Sequence, residues 1–200
     1  APEIVKQPLT VEQFHKKITT LLKKHLPVRV RKEFSPKVDQ GFVYVGGCYH
    51  SAYDEDYKKC IEVLFQYRAD EKVINLTSKR FAGMCTTIAD TLLHEIIHTR
   101  QYRARNFKDI PGYESTAYYA KDRREQEYYG HRDEMGAHSF NLAQELIDKF
   151  GVDTTAIGNY LDSPVPKRVR PNSWGRFMKA FGYDHSHPKV IQMKRKIMTQ

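Results

Sequence analysis

Cysteine is scarce in this 200-residue chain. Only Cys48, Cys60 and Cys85 occur, and no two of them have the spacing of a metal-binding pair. An odd, unpaired set excludes a disulfide-stapled scaffold and a cysteine-built zinc finger. Reduced thiols in a cytoplasmic or intracellular setting are expected. Long apolar runs are missing too. None approaches the roughly 18 residues that a membrane helix needs, so no membrane partner is expected. The N-terminus has no charged stretch leading into an apolar core, so a secretory signal is not expected either. Ala1 suggests no more than the loss of an initiator Met. There is no internal repeat and no low-complexity tract. What is present is ordinary for a globular protein, with 40% hydrophobic and 28% charged residues. That balance excludes wholesale disorder and collagen-like repeats, and the length suffices to bury a real core.

Negative charge is in short supply, and unevenly so. Lys and Arg number 33 against 24 Asp and Glu, a formal charge of +9. From Gly151 onward nine basic residues (Lys167, Arg168, Arg170, Arg176, Lys179, Lys189, Lys194, Arg195, Lys196) face three acids, and nine minus three is +6. Such an excess steers toward nucleic acid or an acidic partner; its simpler reading is a solvated basic surface. Trp174, Phe177, Phe181 and Tyr183 lie among these charges and read as a small packed helix rather than a stacking platform. The chain therefore divides into a domain over 1–150 and a basic helical extension over 151–200.

Residues 10–26 read as an amphipathic helix. Thr10 and Gln13 have capping-box spacing, and Pro27 stops the run. Val11, Phe14, Ile18, Leu21 and Leu22 form its apolar stripe. Strand signals follow at Val28–Arg31, at Phe42–Val45 before a bulge or turn at Gly46-Gly47, at Cys60–Tyr67, and at Lys72–Thr77. Residues 52–60 read as a short helix or loop. A helix is expected over about 86–103, a polar stretch without clear period over 106–130, and another helix over about 132–150 capped by Gly151. Two short helices follow near 173–181 and 187–198. The fold class is α+β, with a small, mostly antiparallel sheet of three or four strands.

The chemistry sits on the 86–103 helix, in His94-Glu95-Ile96-Ile97-His98. Four residues make about 400° of rotation, so the two imidazoles share one face. Two neutral imidazoles one turn apart can hold a tetrahedral zinc ion. Glu95 stands beside the ion without binding it, where it can take a proton from water. Leu92, Leu93, Ile96, Ile97 and Ala89 form the opposite, apolar face. The helix thus reads as packed on a core with its histidines lining a cleft.

A hydrolytic zinc site needs a third protein ligand and an open position. Only Asp109 follows His98 at short range. The best candidate is Glu134 on the 132–150 helix, with His138 one turn later, either orienting a metal ligand or bound to substrate. His131 and His138 are rival third ligands. A further donor is needed for the oxyanion. Tyr102, Tyr113, Tyr118, Tyr119, Tyr128 and Tyr129 crowd the stretch between the two helices. Of these Tyr128 and Tyr129, with His131 and His138, are the candidates.

These residues resemble the zincin metallopeptidases, through Leu92-Leu93-His94-Glu95-Ile96-Ile97-His98, the preceding Ile74-Asn75-Leu76-Thr77-Ser78, and Asp133-Glu134-Met135-Gly136-Ala137-His138 on a later helix. The last feature looks gluzincin-like, and the whole is similar to small SprT-like and phage-encoded zincins over roughly 60–150. The resemblance implies a sheet edge beside the motif helix, along which a peptide substrate binds as an added strand. Two departures stand out. SprT-like proteins place a third-ligand His soon after the motif, and here no His lies between 99 and 130. The metzincin extension is also missing from 99–107.

The expectation is a peptidase using one zinc ion, with Glu95 as general base and a protein or peptide as substrate. A rival expectation is a basic nucleic-acid-binding or virion structural protein that keeps the scaffold without proteolysis. A nucleic-acid-dependent peptidase would combine the two.

Overall fold

Thr10 starts the first helix in the manner its sequence announces. Its hydroxyl accepts the Gln13 N–H at 3.2 Å, and its own N–H donates to Gln13 Oε1 at 3.0 Å. Helix α1 (Val11–His25) ends at Leu26, whose backbone is extended before Pro27. Val11, Phe14 and Ile18 are buried, whereas Leu21 at the edge of the stripe is 44% exposed. This computed structural model describes Ile4 and residues 7–50, 61–106, 108, 121–166 and 172–200. Outside them lie residues 52–60 with Cys60, Asp109, Tyr113, Tyr118, Tyr119, Lys167, Arg168 and Arg170. The described residues form an α+β protein of seven helices and a small mixed sheet. No described helix is long and apolar enough to cross a membrane. The chain divides into two units, Ala1–Phe107 and Lys108–Gln200.

In the first unit, β2 (Val28–Ser35), β3 (Val43–Tyr49) and β4 (Ile61–Arg68) form a sheet in the order β2-β4-β3. The sheet is mixed and not mostly antiparallel. β2 runs parallel to β4, with Val28 opposite Ile61, and β3 runs antiparallel to it, with Gly47 opposite Val63. Period-2 alternation tells which side chains share a face, but not which strand lies between the others. Val63, Phe65 and Tyr67 on one face of β4 are fully buried, each contributing about 1.5–3 kcal/mol by leaving water. On the other face Glu62 is buried as well. The parallel register sets it opposite Arg29, and its carboxylate takes Arg29 Nε at 3.3 Å and Arg31 Nε at 2.9 Å. Pairing is what makes a buried carboxylate tolerable.

Gly46-Gly47 forms no turn. Strand β3 runs straight through both glycines. The strand expected over 72–77 shrinks to β5 (Val73–Ile74), which pairs antiparallel with β1 (Leu9–Thr10) in a separate ribbon. The reason lies in Thr77, whose hydroxyl accepts the Arg80 N–H at 3.3 Å and so caps a helix. That helix, α2 (Ser78–Ala104), starts two turns earlier than the apolar periodicity suggests. Gly83, Thr86 and Thr87 are poor helix formers, but both threonine hydroxyls satisfy themselves on carbonyls one turn back. The strand beside α2 is β3, not the 74–78 segment.

Helix α1 lies on the buried face of the sheet through Phe14, whose ring meets Tyr67 edge-on at 6.2 Å. Next to it the Tyr67 hydroxyl bonds His15 Nδ1 at 3.1 Å. Burial holds the Tyr67 phenol protonated, above its usual range, so it donates to the imidazole. Burial first, and then the nearby Lys32 cation, push His15 below its ordinary value of 6.5. The folded protein therefore binds this proton less readily than the unfolded chain. The His15 contribution is complete above about pH 6.5 and is lost as pH falls through the lowered folded value. Denaturation midpoints taken from pH 7.5 to 5 should decline toward acid, by at most about 1.4 kcal/mol per pH unit from this one proton. A His15→Gln variant should show a flatter profile, and an unchanged slope would remove His15 from the account.

In the second unit, α3 (Lys121–Gly130) precedes α4 (Arg132–Phe150). Helix α4 ends at Gly151, whose φ of 67° suits a residue without a side chain. α5 (Thr154–Asp162), α6 (Ser173–Ala180) and α7 (Pro188–Met198) follow. α5 escaped the sequence reading although Asp153 caps it, accepting the Ala156 N–H at 2.9 Å. These helices share one core with α4. Trp174, Phe177 and Met178 of α6 and Val190 and Met193 of α7 are buried with Met135, Leu142 and Leu146 of α4. Trp174 and Phe177 stack at 5.7 Å, so the aromatic residues among the basic charges do pack. Lys194 ties α7 to α5 through Asp162 at 2.6 Å, and that hydrogen bond holds the Asp162 carboxyl below the usual carboxylate range.

Candidate metal centre

Residues 94–98 lie well inside α2, so their spacing is that of a regular helix. His94 and His98 bring their Nε2 atoms to 3.1 Å, with the two rings close to perpendicular. Nitrogens bound at about 2.0–2.1 Å to one tetrahedral ion stand roughly 3.3 Å apart. The pair is thus near the separation that a shared ion requires. Gln101, one turn on from His98, accepts at Oε1 from His98 Nδ1 at 2.8 Å. An amide oxygen accepts only, so this bond assigns the proton to Nδ1 and the lone pair to Nε2, on the side facing His94. It is the support a ligating imidazole ordinarily has. The signal for Gln101 in the sequence is its spacing of three residues from His98.

Burial on α2 runs opposite to expectation. His94, Glu95 and His98 are all less than a tenth exposed, whereas Leu92, Leu93, Ile96 and Ile97 are only partly covered. Two imidazoles and a carboxylate are costly to bury unless something satisfies them. The Glu95 side chain lies against β3 at Gly47. A methyl group built on that glycine would stand 3.3 Å from Glu95 Oε1.

On α4, Glu134 is buried in the first turn, and its Oε2 lies 3.8 Å from Nε2 of His138 one turn later. His138 sits under two tyrosines of α3, with Tyr128 at 5.6 Å and Tyr129 at 5.0 Å between ring centres. Tyr129 also meets Phe177 edge-on. His131 is the N-cap of α4, its Nδ1 accepting the Asp133 N–H at 3.3 Å. Capping engages one of its two ring nitrogens.

Each unit thus offers a pair of ligand atoms, two imidazole nitrogens on α2 and a carboxylate oxygen with an imidazole nitrogen on α4. The sequence reading chose His94, His98 and Glu134, with His138 and His131 as rivals. The structure places His98 against His94 on α2 and His138 beside Glu134 on α4. Imidazole nitrogen and carboxylate oxygen are the donor types that suit zinc and similar divalent ions. Comparison with protein-family models, curated proteins and solved structures returned no match.

Proposed function

We propose that this protein is a zinc-dependent peptidase of the zincin kind. The observation that carries the reading is the pair of buried imidazoles on one face of α2, with His98 Nε2 at 3.1 Å from that of His94 and Glu95 buried beside them. Glu134 is the proposed third ligand. His138, whose Nε2 lies 3.8 Å from its carboxylate, and His131 are its rivals. A divalent ion held by these residues would supply a Lewis acid for the scissile carbonyl and would lower the pKa of bound water toward neutrality.

The chain's own residues supply the rest. Glu95 takes the proton as water attacks the scissile carbonyl carbon. It returns that proton to the amine nitrogen as the C–N bond breaks. Burial of Glu95 keeps bulk water from competing for the exchange. His138, supported by Tyr128 and Tyr129, is a donor for the oxyanion when it is not a ligand. Among the described residues, strand β3 is an edge of its sheet, and it lies beside α2. An extended peptide can add to it by main-chain hydrogen bonds. The substrate class is accordingly protein or peptide.

The test is cleavage of an unstructured protein such as casein by the purified chain carrying one equivalent of zinc. Hydrolysis should stop on chelation and return with added zinc. A zinc-loaded protein that cleaves neither casein nor a mixed peptide library would sink the proposal. The basic excess of the last fifty residues supports a second reading, a nucleic-acid-binding or virion structural protein. A salt-sensitive DNA mobility shift without cleavage would favour it.

A further inference from the structure

Gly47 lies on β3 opposite Val63, which is fully buried, so position 47 points to the covered face of the sheet. Its neighbour Gly46 points the other way. The two glycines have different surroundings. A methyl group on Gly46 would meet only Tyr44 Cε1, at 3.8 Å. One on Gly47 would stand 2.4 Å from Thr91 Cγ2, 3.2 Å from Glu95 Cγ and 3.3 Å from Glu95 Oε1. Thr91 and Glu95 are four residues apart and share a helix face. Both press on strand position 47, which has no side chain. Glycine within a strand weakens it, and close approach of another element is a reason for one to be there. The β-branched Thr91 has only two favoured rotamers in a helix, so its methyl has few other places to go.

We propose that Gly47 is a positioning residue for Glu95, its missing side chain forming the slot in which the carboxylate rests against β3. The inference builds on the reading of Glu95 as general base. Any side chain at 47 would meet Thr91 first and Glu95 next. With Thr91 shortened, the remaining contact is with Glu95 alone.

Two measurements test this. Gly47→Ala should lower the melting temperature on the order of 5 °C, whereas Gly46→Ala should leave it near wild type. Adding Thr91→Ala to Gly47→Ala should recover much of the stability. Turnover of that double variant on casein should nevertheless stay roughly 10²-fold below that of Thr91→Ala, with KM and bound zinc little changed. The second measurement needs no activity. In the Thr91→Ala background, the melting penalty of Gly47→Ala should fall by about half or more once Glu95 is also Ala, because neighbours in contact are not additive. An equal penalty with Glu or Ala at 95 would overturn the proposal, as would wild-type turnover in the double variant. If the wild-type protein cleaves nothing, the peptidase reading fails while the melting comparison still decides the place of Gly47.

Discussion

His94→Ala is expected to leave a folded protein that no longer retains a divalent ion. His94 opens the motif on α2, buried, with its Nε2 3.1 Å from that of His98. Alanine is the best helix former, so the interior of α2 should tolerate it and the circular dichroism spectrum should be unchanged. Metal content after dialysis should drop from one equivalent to a small fraction, and Glu134→Ala should behave likewise. The comparison of His98→Ala with His138→Ala is the informative one. Loss of a ligand should abolish retention, whereas loss of a residue that only orients a ligand should weaken affinity about 10–100-fold. A His94→Ala protein that keeps a full equivalent at wild-type affinity would dismantle the centre.

The second large effect is expected for Glu95→Gln. The amide is nearly isosteric with the carboxylate and should sit against Gly47 as the carboxylate does. It cannot take a proton. Zinc content should stay at one equivalent and hydrolysis should fall by roughly 10²–10⁴. Glu95→Asp keeps the charge but withdraws it by one methylene, so it should be impaired less. Retained turnover in the Gln variant, with its zinc confirmed, would take the proton-transfer role away from Glu95.

How much of this was legible in the sequence depended on range. Local signals read well. The reciprocal Thr10–Gln13 bonds, the Gly151 cap and the four-residue step from His94 to His98 are fixed by neighbours in the chain. Helices with local signals but weak apolar periodicity were cut short or missed. Thr77 starts α2 early, and Asp153 starts α5 where no helix was expected. Long-range facts were not legible. Nothing in Val28–Arg31 says that its partner runs parallel, since alternation is the same in either direction. Gly46-Gly47 looked like punctuation because a gap needed by a helix forty-odd residues later leaves no mark in a local pattern. The helix that carries Glu134 was legible because α4 is long and regular. The 3.8 Å between its carboxylate and the His138 ring depends on side-chain directions that one sequence does not display.

The strand order has a consequence for synthesis. β4, the middle strand of its sheet, is the last of the three to leave the ribosome. Until Arg68 has emerged, β2 and β3 lack the neighbour that both pair with in the finished sheet. A nascent chain paused before that point would carry two sticky, unzipped edges. Truncations ending between β3 and β4 should therefore aggregate, whereas the longer product ending after α2 should stay dispersed.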